Sequence, residues 1–506
     1  MLRSFDFFIN VRYASLSASL PPHTSIYNIW PPKKVRTTLP LYQSIATMIS
    51  AGANITDSSS HVLMGIPLHV IENDFLAVNV MNNVPNTGLS IHFHGFEMKN
   101  SVEYDGVVGL TQCSISPGDK FGYHFKVEES FGTYWYHTHS GNLGIDSHNT
   151  IKGPLIVHQD TPDLRRVVDK LNTVAKDVLT GVNVDYRSLL SYGNERILFF
   201  SDGFLKSDSI NEMYYVSGLN PPPHLNDDRF IASAVEYEFA TVNGKIREVI
   251  HVVKGQTYKL RLINGGSHFA FRITIDGFPM TIIAADSSQV EAIEVDEVIL
   301  HNAERFDVEI KIPNHLESGD SFWIRADTLE SRNHGYQNGA RAILHIVDNM
   351  DEAFALHDHN IRDPKDDIAK SNLSVQDRRT MNCYSNLETE KAETNGKGAC
   401  LPVTALNSVN GHIHLLKIDK NVTESVYHLE TEVRTVDFDF NHPPLHALFT
   451  RIDNGNWYQH ILSSKSHVLV KDFDPEHDLH PHAAVMNVRS HSPVIIIWRS
   501  RSLMDQ

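Results

Sequence analysis

An internal repeat constrains the fold of this chain more than any other feature of its sequence. Residues 69–82 read HVIENDFLAVNVMN and residues 251–264 read HVVKGQTYKLRLIN, at a constant offset of 182 residues (251 − 69). The register continues without a gap, because residues 91–98 and 273–280 share isoleucine, glycine, phenylalanine and methionine at matching positions. The chain therefore contains two copies of one domain.

The repeat is built from short runs in which apolar and polar residues alternate, the pattern of a strand with one buried face. Such runs cover residues 76–80, 258–263 and 295–301, and glycine, asparagine, proline and aspartate separate them. Residues 160–192 are the one segment with a helical pattern. The sequence predicts an all-β fold of the sandwich or barrel type.

The chain has 506 residues, and at about 150 residues per domain it can form roughly three domains. We interpret residues 350–425 as a polar linker, in which the charge-rich residues 357–367 and 388–398 are solvated. The N-terminal segment has no clear counterpart at the repeat offset. The predicted division is an N-terminal segment of unclear structure (1–60), a first repeat domain (61–160), a second (190–349), the linker (350–425) and a third strand-rich unit (426–506).

Two histidine pairs inside strand-like runs, His92/His94 and His137/His139, indicate a metal site. Side chains i and i+2 of a strand point to the same face, so each pair would aim both imidazoles in one direction. Four convergent imidazoles would suit copper, zinc or iron.

The repeat also provides an internal control for the first pair. At the same offset, Thr274 and Asp276 stand in the second copy where His92 and His94 stand in the first. The fold therefore does not need these histidines, and metal binding explains them better than packing does. Among the 30 histidines, further His-x-His pairs are weaker candidates because their surroundings are polar or proline-broken; they lie at 357–359, 412–414 and 480–482.

Composition excludes several classes of function. A net charge of −17 argues against a nucleic-acid partner, which requires clustered lysine and arginine. No apolar run approaches the roughly 18 residues that span a bilayer, so we predict no membrane span. Asn-x-Ser/Thr tripeptides at 54–56, 372–374 and 421–423 favour a secreted glycoprotein, although residues 5–11 make a poor signal-peptide core.

On these residues the sequence resembles the three-domain multicopper oxidases, a family that includes laccases, ascorbate oxidases and ferroxidases. The resemblance spans roughly residues 66–498 and is sharpest at the two histidine motifs. The segments at 104–106, 111–113 and 303–308 are also similar to segments of this family. The resemblance implies tandem cupredoxin-like Greek-key β-sandwich domains, two of them complete and a third partial.

The resemblance also implies a trinuclear copper cluster as the cofactor. His92 would bind the type 2 copper, His94 and His137 would share one type 3 copper, and His139 would bind the other. Asp105 matches the family's carboxylate that orients water and helps to deliver protons. The implied reaction couples one-electron oxidation of a phenol, an enediol or a metal ion to reduction of dioxygen to water. The expected partners are therefore a small-molecule reductant and dioxygen.

The sequence departs from the family pattern in its third domain. The third and fourth copper motifs are absent, and histidines flank none of the three cysteines, so the blue-copper thiolate has no candidate. Only half of the cluster's ligands would be present, and we expect the sequence to be incomplete. The resemblance further implies a disulfide from Cys113 to the linker or the third domain.

Two other functions compete with the oxidase. The first is a non-catalytic β-domain protein, which would either bind copper through the four histidines or bind none. The second is a zinc hydrolase that uses His137 and His139, but Gly141 and Asn142 stand where such hydrolases place aspartate and histidine.

Overall fold

The structure is a computed structural model, and strands dominate the part of the chain that it describes. The described residues are 1–15, 42–48, 64–83, 88–139 (without 109 and 129–130), 151–180, 186–203, 239–329 (without 246 and 268), 339–364 (without 357), 378–383, 400–409, 425–436, 445–452, 458–459 and 494–501.

The first domain is a sandwich of two four-stranded sheets. One sheet has the order β2-β1-β4-β6, and the other has the order β3-β8-β7-β5. Phe93 and Tyr136 are fully buried in the core between the sheets. The strands are β1 (Leu2–Ser15), β2 (Tyr42–Met48), β3 (Leu68–Ile71), β4 (Phe75–Asn82), β5 (His92–His94), β6 (Lys120–Lys126), β7 (Gly132–His137) and β8 (Lys152–His158).

The second domain is a larger sandwich of two seven-stranded sheets. The first sheet has the order β11-β10-β13-β18-β15-β16 with β9 on β10, and the second has the order β12-β20-β19-β14-β17-β21-β22. Its strands are β9 (Ser191–Tyr192), β10 (Glu195–Gly203), β11 (Phe239–Val242), β12 (Arg247–Val253), β13 (Thr257–Asn264), β14 (Phe271–Ile275), β15 (Met280–Ala285), β16 (Ser288–Val295), β17 (Glu297–Leu300), β18 (Arg305–Lys311), β19 (Ser321–Thr328), β20 (Gly339–Val347), β21 (Thr380–Met381) and β22 (Cys400–Leu401).

The predicted strands at 76–80 and 258–263 are confirmed as β4 and β13. The strand predicted at 295–301 corresponds to β17, but Val295 is the last residue of β16, because the chain leaves one sheet at the end of β16 and enters the other at the start of β17. Asp296 lies at this crossing, where its carboxylate accepts a hydrogen bond from Arg379 Nε at 3.1 Å. The crossing joins two different sheets, and this pairing is a tertiary property that the local sequence does not show.

The N-terminal residues belong to the first domain, which corrects their assignment to a segment without a counterpart. β1 pairs in parallel with β4, and Phe5 and Phe7 are buried. β10 pairs in parallel with β13 in the same way, so β1 is the counterpart of β10. The repeat in sequence missed this relation because the chain between β1 and β4 differs in length from that between β10 and β13. Residues 16–41 and 49–63 lie outside the described residues.

In the part of the chain that the structure describes, α-helices occur in the predicted segment and at the start of the linker. The helices α1 (Pro162–Thr180) and α2 (Arg187–Leu190) confirm the helical segment at 160–192, and α3 (Met350–Ala355) begins the linker. The asparagine before α3 caps it, because Asn349 Oδ1 accepts a hydrogen bond from Glu352 N at 2.9 Å. None of the described helices is long and apolar enough to cross a membrane.

The linker is only partly solvated, contrary to the expectation from its charge. Ile361, Met381 and Leu406 are buried against the second domain, and β21 and β22 extend one of its sheets. The carboxylate of Asp358 forms an ion pair with Arg187 at 3.0 Å. Charged residues of this segment therefore lie next to apolar residues that pack against the second domain. Residues 388–398 lie outside the described part of the chain.

The expected disulfide from Cys113 is wrong, because Cys383 and Cys400 are bonded to each other, with 5.7 Å between their Cα atoms. The parallel pairing of β21 with β22 places Thr380 opposite Cys400, which brings Cys383 within reach. This local register was not readable from the cysteine spacing.

The third unit forms one four-stranded sheet in the residues that the structure describes. Its order is β25-β24-β23-β26, and β26 pairs in parallel with β23. The His-x-His pairs at 412–414 and 480–482 lie outside the described residues. The strands are β23 (Ser425–Val436), β24 (Leu445–Ile452), β25 (Tyr458–Gln459) and β26 (Val494–Arg501).

Candidate metal centre

The two histidine motifs lie on neighbouring antiparallel strands. β5 pairs with β7 so that His92 lies opposite His137 and His94 lies opposite Trp135. Phe93, between the two histidines, is fully buried, whereas His92 and His94 are half-buried. Alternation along β5 therefore sends the phenylalanine into the core and both imidazoles to the opposite face.

Three of the four predicted histidines converge closely. The ligand nitrogens of His92, His94 and His137 all lie within 4.8 Å of one another. His94 Nδ1 and His137 Nε2 are 3.4 Å apart. Metal–imidazole bonds of about 2.0–2.1 Å, as zinc makes, would separate two nitrogens by about 3.3–3.4 Å at tetrahedral angles. These two nitrogens are therefore spaced as ligands of one metal ion would be.

His139 lies beside this group, two residues after the end of β7. Its side chain is exposed. Its ring centroid is 5.4 Å from that of His92 and 6.0 Å from that of His137. The structure thus places the fourth predicted histidine at the rim of the cluster.

Backbone carbonyls fix the orientation of two of the imidazoles. His92 Nδ1–H donates to the carbonyl oxygen of Asp105 at 2.6 Å, and His137 Nδ1–H donates to that of Thr138 at 2.7 Å. Each ring then keeps an unprotonated Nε2, whose lone pair is available to a metal ion. Such a hydrogen bond from the far nitrogen is the usual support of a metal-binding histidine.

Burial keeps the deeper imidazoles neutral. Burial, together with the nearby Arg305 guanidinium, lowers the pKa of His94 to about 3. Burial likewise holds the pKa of His137 well below its usual value. Both rings therefore offer nitrogen lone pairs at neutral pH, as metal binding requires.

Asp105 directly follows a short 3₁₀ turn, Val102–Tyr104. Its carboxylate Oδ1 is 3.2 Å from His92 Nδ1, and its side chain remains 25% exposed. Gly106 permits this approach, because its φ is +81° and a Cβ there would lie 1.9 Å from the carbonyl oxygen of Ile91. Asp105 thus contacts both the cluster and solvent.

The second copy keeps the strand pair and replaces the imidazoles. Thr274 of β14 lies opposite Arg325 of β19, as His92 lies opposite His137 in the first copy. Asp276 accepts two hydrogen bonds from Arg325, from Nε at 2.9 Å and from Nη2 at 2.8 Å. An ion pair thus stands where the first copy gathers histidines, in agreement with the sequence-based control.

Sequence reasoning did not identify Trp135 as part of this site. The indole stacks on the rings of His94 and His137, at centroid distances of 4.9 Å and 4.3 Å. Its spacing of two residues before His137 could have placed it on the face of the ligands. Its contact with His94 depends on the pairing register, which no local pattern reveals.

Sequence similarity to known proteins identifies the family of this chain. Family models described as multicopper oxidase match residues 59–162 and residues 204–348. The chain belongs to the multicopper oxidase family. Both matches fall on the repeat domains, and the first contains all four predicted histidines.

Curated relatives are similar to this chain over part of their length. Laccase-2 of Cryptococcus neoformans var. grubii is 31% identical over 277 residues, which are 53% of this chain and 42% of the relative. The oxidoreductase OpS5 of Beauveria bassiana is 28% identical over 321 residues, which are 58% of this chain and 49% of the relative. The chain therefore spans about half the length of the curated relatives it matches.

Solved multicopper oxidase structures share the fold. The laccase from Botrytis aclada superposes with a TM-score of 0.52 at 20% sequence identity, covering 90% of this chain and 64% of that one. Fet3p, a multicopper oxidase that functions in iron import, gives a TM-score of 0.50 at 17% identity with the same coverage. These likenesses support the all-β tandem-domain architecture.

The donor set fits copper, the metal of this multicopper oxidase family. Neutral imidazole nitrogens bind copper well, and three of them converge here with hydrogen-bonded support. The three cysteines, in contrast, are poor candidates for thiolate ligands of a metal ion. Cys383 and Cys400 are joined in a disulfide, and burial raises the pKa of the Cys113 thiol.

Proposed function

We propose that this chain carries the first-domain copper site of a multicopper oxidase. The convergence of His92, His94 and His137 within 4.8 Å supports this proposal more than any other observation. In the proposed site His94 and His137 share one type 3 copper, His92 binds the type 2 copper, and His139 at the rim binds the second type 3 copper.

Bound copper would supply one-electron redox chemistry, between a small-molecule reductant such as a phenol, an enediol or a metal ion and dioxygen. The protein would hold the imidazole ligands in place and orient them. The carbonyl oxygens of Asp105 and Thr138 keep Nε2 of two ligands unprotonated. The Asp105 carboxylate, exposed on one side and 3.2 Å from His92 Nδ1 on the other, would pass protons between solvent and the site.

We also propose that the protein is secreted. The Cys383–Cys400 disulfide supports this location, because disulfides persist in oxidising compartments.

Copper titration tests the proposed site directly. The full chain is loaded with Cu²⁺, dialysed and analysed for bound metal, together with His94→Ala and His137→Ala. His124→Ala is the matched control, since His124 is an exposed histidine on β6 of the same domain. The parent and the control should retain copper, whereas each cluster variant should bind it at least tenfold more weakly. A copper-free parent, or cluster variants that bind like the parent, would overturn the proposal.

A further inference from the structure

Trp135 connects the histidine cluster to the second domain. One side of its environment is the imidazole pair, with ring planes inclined at 28° to His94 and 26° to His137. The other side is an apolar cluster that includes Ile197, Phe199 and Ile263 of the second domain. The indole is only 5% exposed, so it fills the space between the ligands and the domain interface.

Packing in this interface restricts where the two imidazoles can go. Neither His94 nor His137 can tilt toward the second domain without displacing the indole. The indole in turn packs against Phe199, with 6.0 Å between the ring centroids. Interiors packed at crystal-like density move little, and aromatic side chains have few rotamers. Hydrogen bonds to carbonyls fix the tautomers of His92 and His137, whereas His94 makes no hydrogen bond to a carbonyl within the described residues.

We infer that Trp135 is a positioning residue. Its tightly packed indole holds His94 and His137 at the separation needed to share one metal ion. This inference rests on the proposed copper site. It adds that the second domain, which contributes no imidazole to the cluster described here, sets the ligand geometry through the indole.

The second copy supplies a matched control for this inference. Trp323 occupies the equivalent position in β19, because its carbonyl oxygen accepts a hydrogen bond from Asp276 N, at the position equivalent to His94. Trp323 is 8% exposed and packs with the aliphatic residues Val249, Ile343 and Ile361. Among the residues that the structure describes, the buried indole Nε1 of neither tryptophan has a hydrogen-bond partner. The two tryptophans thus occupy equivalent positions in the fold, but the Trp135 ring packs against imidazoles and the Trp323 ring packs against aliphatic side chains.

The experiment compares Trp135→Leu with Trp323→Leu in the full chain, using Cu²⁺ as the probe. Affinity is measured by competition with a chelator, ligand geometry by the electron paramagnetic resonance spectrum of bound Cu²⁺, and stability by thermal unfolding. We expect both variants to unfold at lower temperature. Only Trp135→Leu should lose about 10–100-fold in copper affinity and show an altered spectrum, and Trp135→Phe should recover part of the loss.

Each outcome decides the question. Copper affinity and spectrum of Trp135→Leu that match the parent would overturn the inference, and so would an equal loss in Trp323→Leu, which would indicate general destabilisation. If the leucine variants do not fold, Trp135→Phe against Trp323→Phe decides by the same criterion. A parent that binds no copper would instead refute the proposed site itself.

Discussion

His69 and His158 form a buried pair in the first domain, away from the copper ligands. His69 Nε2–H donates to the carbonyl oxygen of Leu189 at 2.9 Å, which leaves Nδ1 as an acceptor. That nitrogen lies 3.0 Å from His158 Nε2, so His158 donates the proton in this bond. The arrangement requires the His69 ring to be neutral, because a proton on His69 Nδ1 would leave two donors facing each other.

We predict that this pair makes the protein less stable in mild acid. Burial lowers the pKa of His69 to about 4 and holds that of His158 well below its usual value. Between pH 6.5 and about 4 the unfolded chain then binds more protons than the folded one, so stability falls as the pH falls. For His69 the loss is on the order of 3 kcal/mol.

Denaturant unfolding at pH 7 and pH 5 measures this effect. The difference in the free energy of unfolding between the two pH values should be smaller in His69→Gln than in the parent. His124→Gln should leave the difference unchanged, since that residue is exposed. An unchanged difference in His69→Gln would contradict the prediction.

β7 is the element that joins the copper site to the second domain. Thr133, near its start, is fully buried, and its hydroxyl donates to Asp307 Oδ1 at 2.6 Å. Thr133 Oγ1 also accepts a hydrogen bond from Arg261 Nη1 at 2.6 Å, and Arg305 Nε donates to the Thr133 carbonyl at 2.9 Å. The strand that ends at His137 is therefore anchored at its other end by a buried Arg261–Asp307 pair.

Loss of the Thr133 hydroxyl should loosen this anchor. We expect Thr133→Val to lower the free energy of unfolding by about 1–3 kcal/mol, because two buried charged groups each lose a hydrogen-bond partner. Thr133→Ser keeps the hydroxyl and should retain most of the stability. Thr257→Val, on an exposed strand position of β13, should change stability by less than about 0.5 kcal/mol. Equal losses in the valine and serine variants at 133 would exclude the hydroxyl as the cause.

Individual elements differ in how far sequence foretold them. β4 and β13 follow from the alternation of apolar and polar residues in their sequences, although both faces of β13 are buried from Leu260 onward. β1 escaped notice because its relation to β10 depends on parallel pairing with a strand that begins more than 50 residues later in the chain. The division of residues 288–300 between two sheets also depends on the sandwich as a whole.

For the whole molecule, we predict that the copper-loaded chain lacks the intense blue absorption of a copper–thiolate site. Cys383 and Cys400 are bonded to each other, and burial raises the pKa of the remaining thiol, Cys113. The thiolate is the form that binds metal. The visible spectrum after copper loading checks this prediction. An intense blue band that disappears in Cys113→Ser would refute it and identify the ligand.

The sequence by itself determined the β-domain repeat, the family and the four histidines, because strand alternation and i, i+2 spacing are local properties of the chain. Tertiary structure alone decided that His92 faces His137 and that Trp135 lies beneath His94. It also decided which cysteines bond and that the second domain supports the cluster. These relations join residues far apart in sequence, and the register and packing that bring them together are properties of the folded core.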